Sequence, residues 1–133
     1  MNIEAFLLCD CATDSGGKLN VLGAFDSIYV RQLPAVHPAC TIAARIRFSK
    51  IEQGQHSIRI NVIDQDGKDI APRLEDKISV NIPDNVDSSV VNLILNLQRL
   101  KLDSCGEYRI DLAIDNRLEG SLPFSVRKVP YQH

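Results

Sequence analysis

The sequence predicts an all-β fold, an antiparallel β-sandwich of two sheets, on three observations. Apolar residues recur with a period of two rather than 3.6. Turn-forming residues separate about eight such runs at the spacing expected of a sandwich. No segment carries a convincing helical stripe.

The elements follow in order. Ile3 to Ala12 is apolar on both faces, which suits a strand buried within the sandwich, and Ser15-Gly16-Gly17 turns it into a run from Lys18 to Phe25. Gly23 inside that run marks a bulge or a close backbone approach. From Cys40 to Phe48 the alternation is strict. Cys40, Ile42, Ala44, Ile46 and Phe48 share one face, and Thr41, Ala43, Arg45 and Arg47 the other, as a strand with one buried and one wet face requires.

Glu52-Gln53-Gly54 leads to Ile58, Ile60 and Val62, and the two runs are expected to form a hairpin. Asp66-Gly67 is a turn signal. Ile78, Val80 and Ile82 form a further strand that Pro83-Asp84 ends, followed by Val91, Leu93, Leu95 and Leu97. The last hairpin runs from Tyr108, Ile110, Leu112 and Ile114 through the Asp115-Asn116 turn to Leu118, Leu122, Phe124 and Val126.

Asp103-Ser104-Cys105-Gly106-Glu107-Tyr108 resembles the tyrosine corner of Greek-key sandwiches, in which a tyrosine hydroxyl bonds back to the preceding loop. It favours an immunoglobulin-like Greek key over a closed barrel.

A chain of 133 residues suits one domain spanning 1–133. The net charge of -2 lacks the excess of lysine and arginine that phosphate backbones demand, so nucleic acid is disfavoured as a partner. With no tryptophan, three tyrosines and four phenylalanines, a broad stacking platform for bases or sugars is also disfavoured. Glu4 and Asp10 bracket a short apolar stretch that lacks the early positive charge of a secretion signal. No apolar run is long enough to span a bilayer. A cytoplasmic protein without membrane association is the expectation.

The stretch Leu8-Cys9-Asp10-Cys11-Ala12-Thr13-Asp14-Ser15-Gly16-Gly17-Lys18-Leu19-Asn20-Val21-Leu22-Gly23-Ala24-Phe25-Asp26 resembles a bacterial family of short β-rich proteins of unknown function. His37-Pro38-Ala39-Cys40 and the segment 92–124 fit the same pattern, so the likeness spans nearly the whole chain. It implies a stand-alone bacterial domain and carries over no functional residue.

Several residue groups invite a chemical reading. Cys9, Cys11, His37 and Cys40 are soft metal ligands, yet Cys9 and Cys11 stand at strand spacing, where buried cysteines act as small hydrophobes. Asp64, Asp66 and Asp69 gather carboxylates in one loop as calcium sites do, although an aspartate-rich turn explains the same residues. Arg45, Arg47 and Arg59 face outward on neighbouring strands, with Arg47 beside Arg59 in the hairpin register. Such a trio calls either for an anionic or protein partner, or for acidic neighbours such as Glu107 and Asp111.

For catalysis there is no nucleophile elbow, and Gly16-Gly17-Lys18-Leu19 fails the phosphate-loop pattern. The histidines are His37, His56 and His133. The leading reading is therefore a non-enzymatic module for protein interaction or self-association, requiring no cofactor. The alternative is a small-ligand or calcium-binding sandwich that uses the Asp64–Asp69 turn.

Overall fold

The computed structural model describes residues 1–130. Among these residues there are nine strands: β1 (Asn2–Ser15), β2 (Lys18–Ala24), β3 (Ser27–Val30), β4 (Ala35–Ser49), β5 (Gly54–Ile63), β6 (Leu74–Val80), β7 (Ser88–Leu102), β8 (Gly106–Ile114) and β9 (Arg117–Lys128). They form a four-stranded sheet in the order β2-β1-β4-β7 and a five-stranded sheet in the order β3-β9-β8-β5-β6. Every pairing is antiparallel except β3 with β9. The sequence suggested about eight strands; the additional one, β3, is too short to display a period.

Alternation decides which face of each strand meets the other sheet. Ile42, Ala44, Ile46 and Phe48 of β4 join Ile58, Ile60 and Val62 of β5 and Ile110, Leu112 and Phe124 of the last hairpin in one buried cluster. Burying such side chains stabilises the fold by about 1.5–3 kcal/mol each.

The hairpin expected between β4 and β5 does not form. β4 pairs with β1 and β7, whereas β5 pairs with β6 and β8 in the other sheet. Between them the chain makes a 3-10 turn at Lys50–Glu52 and crosses from one sheet to the other. Two features hold this arch. The Ser49 backbone N–H and hydroxyl both donate to the Glu52 carboxylate at 2.8 Å, and the Lys50 ammonium donates to the carbonyls of Ile82 and Pro83. Both runs bury one face, and alternation alone does not say whether two such runs share a sheet or face each other across a core.

The turn residues behave as their types require. Asp115 and Asn116 both adopt positive φ, 52° and 65°, in the tight β8–β9 hairpin. Before β8, the Tyr108 hydroxyl donates to the Ser104 carbonyl at 2.6 Å, and the Tyr108 ring stacks on Phe124.

Candidate functional site

The outer face of the four-stranded sheet is not simply wet. β1 pairs with β4 as far as Cys9 and thereafter only with β2. Asp14, near the tip of the β1–β2 hairpin, accepts a hydrogen bond from Asn92 at 2.9 Å. Yet Asn92 lies opposite Arg45, and Arg45 opposite Ala5. A straight strand would place Asp14 about 30 Å from Ala5. The β1–β2 hairpin therefore folds back across the sheet as a flap, and β1 touches β7 although β4 lies between them in the sheet.

The fold-back occurs where Asp10 faces Gly23, a position missing from the otherwise regular β1–β2 register. Gly23 has φ +69°, and a Cβ there would come 2.4 Å from the Asp10 carboxylate. Under the flap a second apolar layer appears. Cys9, Thr41 and Ala43 are 0, 3 and 0% exposed although they point away from the core between the sheets. Along the hairpin, half-buried Ala12, Leu19 and Val21 alternate with exposed Cys11, Thr13, Asn20 and Leu22.

Polar groups latch the flap. The Gly17 carbonyl accepts from Arg45 at 3.0 Å and from Asn92 at 3.2 Å, while the Gly17 N–H donates to Asp14. The bonds from Asn92 and then Gly17 hold the Asp14 carboxyl below its ordinary range. Glu4, carried outward by a bulge between Ile3 and Ala5, joins Arg45 at 3.1 Å and Arg47 at 2.6 Å. The hydrogen bond from Arg47 is the main reason the Glu4 carboxyl lies below its usual value. Arg47 also donates to the Ser88 hydroxyl.

The arginine trio thus divides. Arg45 and Arg47 share the Glu4 carboxylate and have no bond to Glu107 or Asp111, and Arg59 is on the other sheet. The missing hairpin explains the error, because the expected Arg47–Arg59 adjacency required it. Arg59 lies opposite Glu75 and Ala113 and lines a groove of about 440 Å³ with Ser57, Lys77 and Asn116.

The aspartate loop is held by its own hydrogen bonds. Asp64 accepts the N–H groups of Asp66 and Lys68 at 2.9 Å, as an aspartate turn does. Asp69 instead binds Asn61 and Arg73, and Arg73 chiefly lowers its carboxyl pKa. No three histidine, cysteine, aspartate or glutamate side chains converge on a metal position among the described residues.

Nor do the four soft ligands assemble. Cys40 is in the core between the sheets, Cys9 lies under the flap, Cys11 is exposed, and His37 sits beside the Phe25 ring. Burial pushes the Cys40 thiol up to about 11, and raises that of Cys9, so both remain protonated. His133 lies outside the described residues.

A different feature stands out at the far edge of the same sheet. β7 hydrogen-bonds to β4 along one side only, and among the described residues no strand pairs with its other side. From Ser88 to Gln98 this edge holds no charge, proline or glycine. The other edges carry the usual protections. β6 bears Glu75, Asp76 and Lys77, β3 is four residues long, and β2 contains Lys18 and the kink at Gly23.

Residues 4–127 match a family described as "Family of unknown function (DUF6941)". The chain belongs to that family. A search of curated proteins returns no match. The resemblance to a β-rich family of unknown function is thereby borne out, and DUF6941 membership brings no assigned activity with it. In this DUF6941 chain sequence reading missed both the flap and the bare edge. The edge had left a signal, since a long run of β-formers without a charge is unusual for a strand bordering solvent. The flap had left only Gly23.

Proposed function

We propose that the protein is a non-enzymatic interaction module and that the free edge of β7 is its binding element. The observation carrying this reading is that the edge of β7 from Ser88 to Gln98 runs without the charges, prolines or bulges that normally block pairing with another chain. A strand laid along such an edge gains main-chain hydrogen bonds, which supply affinity, and alternate side-chain contacts, which supply selectivity.

The finer architecture supports the reading. We take the fold as an immunoglobulin-like Greek key in which β1, β4 and β7 stand for strands A, B and E, and β5, β8 and β9 for C, F and G. The Tyr108–Ser104 bond, at the start of the strand equivalent to F, fits this assignment. Immunoglobulin constant-type sandwiches place a fourth strand, D, beside E. Here the chain passes from β6 to β7 without one, and the edge is left open.

Hydrogen exchange on the protein recovered in its native assembly tests this function. Amides of Ser88–Gln98 are expected to exchange more slowly there than in the dilute isolated chain, with Leu74–Val80 unchanged. Equal exchange of Ser88–Gln98 in the two states would remove the edge from consideration.

A further inference from the structure

We propose that the occupant of the β7 edge is a second copy of the chain, paired antiparallel about Ile94 so that two four-stranded sheets join into one. The inference rests on the preceding reading of the edge and names its partner.

A two-fold contact must be self-complementary, because residue i meets j and j meets i. The segment Val91-Asn92-Leu93-Ile94-Leu95-Asn96-Leu97 meets that demand in its order of side chains. Reflected through Ile94, leucine meets leucine at 93 and 95, asparagine meets asparagine at 92 and 96, and valine meets leucine at 91 and 97. Alternation alone sets apolar against apolar in such a reflection; the identity of the residues at 93 and 95 and at 92 and 96 goes beyond it.

Alternation keeps these matches on the correct faces. Val91, Leu93 and Leu95 pack against the core between the sheets and are only half-buried, so a neighbouring strand would cover their open flank. The asparagines lie on the outer face with complementary groups to spare. The Asn96 oxygen accepts from Thr41, leaving its amide hydrogens as donors, and the Asn92 oxygen, which accepts from Arg45, has a second lone pair. An Asn96-to-Asn92 bond across the joint would use both.

Charge sets the direction. Asp87 precedes the bare segment, and Arg99 and Lys101 follow it. Antiparallel pairing brings each acidic end towards the basic end of the other copy, whereas parallel pairing would set like charges together.

Charge variants at the reflected pair 90 and 98 read out this arrangement, with mass determined by light scattering on a sizing column. The unaltered chain is expected to run as two copies. Val90→Lys with Gln98→Lys places two like-charged pairs across the joint and should weaken pairing about tenfold or more. Val90→Glu with Gln98→Glu should do the same, and an equal mixture of the two variants should restore the dimer.

Three results would overturn the proposal. They are an unaltered chain that runs as a single copy at its highest attainable concentration, variants that stay dimeric, and two folded variants that fail to combine. A single-copy chain whose edge is nonetheless protected in its native assembly would retain the interaction module and replace the second copy by another protein. Should the variants not fold, concentration-dependent protection of Ser88–Gln98 in the unaltered chain decides the matter, and protection that does not change with concentration overturns the proposal.

Discussion

Both ring nitrogens of His56 meet acceptors, Nδ1 the Asp115 carboxylate at 2.6 Å and Nε2 the Glu52 carbonyl at 2.5 Å. Only the imidazolium has two N–H donors to satisfy both. The bond to Asp115, then that to Glu52, therefore raises the His56 pKa above 6.5, and the same contact lowers that of Asp115 below 3.8. A raised folded-state pKa means that the histidine's contribution is complete below about pH 6.5 and is lost as pH rises through the folded value. The aspartate's contribution is present above its unfolded value and is lost as pH falls through its folded one. Urea unfolding of His56→Gln should show a deficit of about 1–2 kcal/mol near pH 5 that narrows towards pH 8. A deficit independent of pH would show that the ring acts only by packing on Phe48. Nothing in the sequence placed His56 beside Asp115, since one comes from β5 and the other from the β8–β9 turn. Arg45 and Arg47 were legible as outward residues from alternation alone; Glu4 as their partner was not, because it reaches them from a bulge.

The β1–β2 hairpin shows what local pattern can and cannot disclose about an element. Its turn and both strands were readable from Ser15-Gly16-Gly17 and the flanking apolar residues. Its fold-back was not, because Ile3 to Ala12 reads as one continuous strand buried on both faces. That reading had a physical basis, as the outer face of β1 is indeed covered, but by the strand's own continuation. Gly23 was singled out for a bulge or close approach; the close approach is realised against Asp10, whereas the β1–β2 register runs through it unshifted, without a bulge. Gly23→Ala forces a side chain into a left-handed conformation and against a carboxylate. It should cost about 1–3 kcal/mol. The loss should be local: amides of 11–22, and of Thr41 and Ala43 beneath, should exchange faster while those of Ile110 and Leu112 keep their protection. Uniform loss of protection across both sheets would mean that the flap is integral to the core rather than laid upon it. The β4–β5 arch teaches a related lesson, since two amphipathic strands joined by a polar turn fit a hairpin and a crossover equally well until the partners of β4 are known.

At the scale of the whole molecule, all-β class and a two-sheet arrangement follow from period-two alternation with one apolar face per strand. Strand order does not, because it depends on which apolar faces close on one another. The same limit applies to the surface. Arginines attract attention in a sequence, yet two of the three are already engaged by Glu4, while the uncharged edge of β7 lacks a partner among the described residues. A sheet that ends in such a strand is a template for further pairing. The near-palindrome around Ile94 makes a second copy the fitting strand. The most direct measurement is an isotope-filtered nuclear Overhauser experiment on an equal mixture of labelled and unlabelled chains. Contacts between Leu93 of one copy and Leu95 of the other, and between Asn92 and Asn96, are predicted. Intermolecular contacts confined to any other strand, or none at concentrations where the chain is dimeric, would contradict the account.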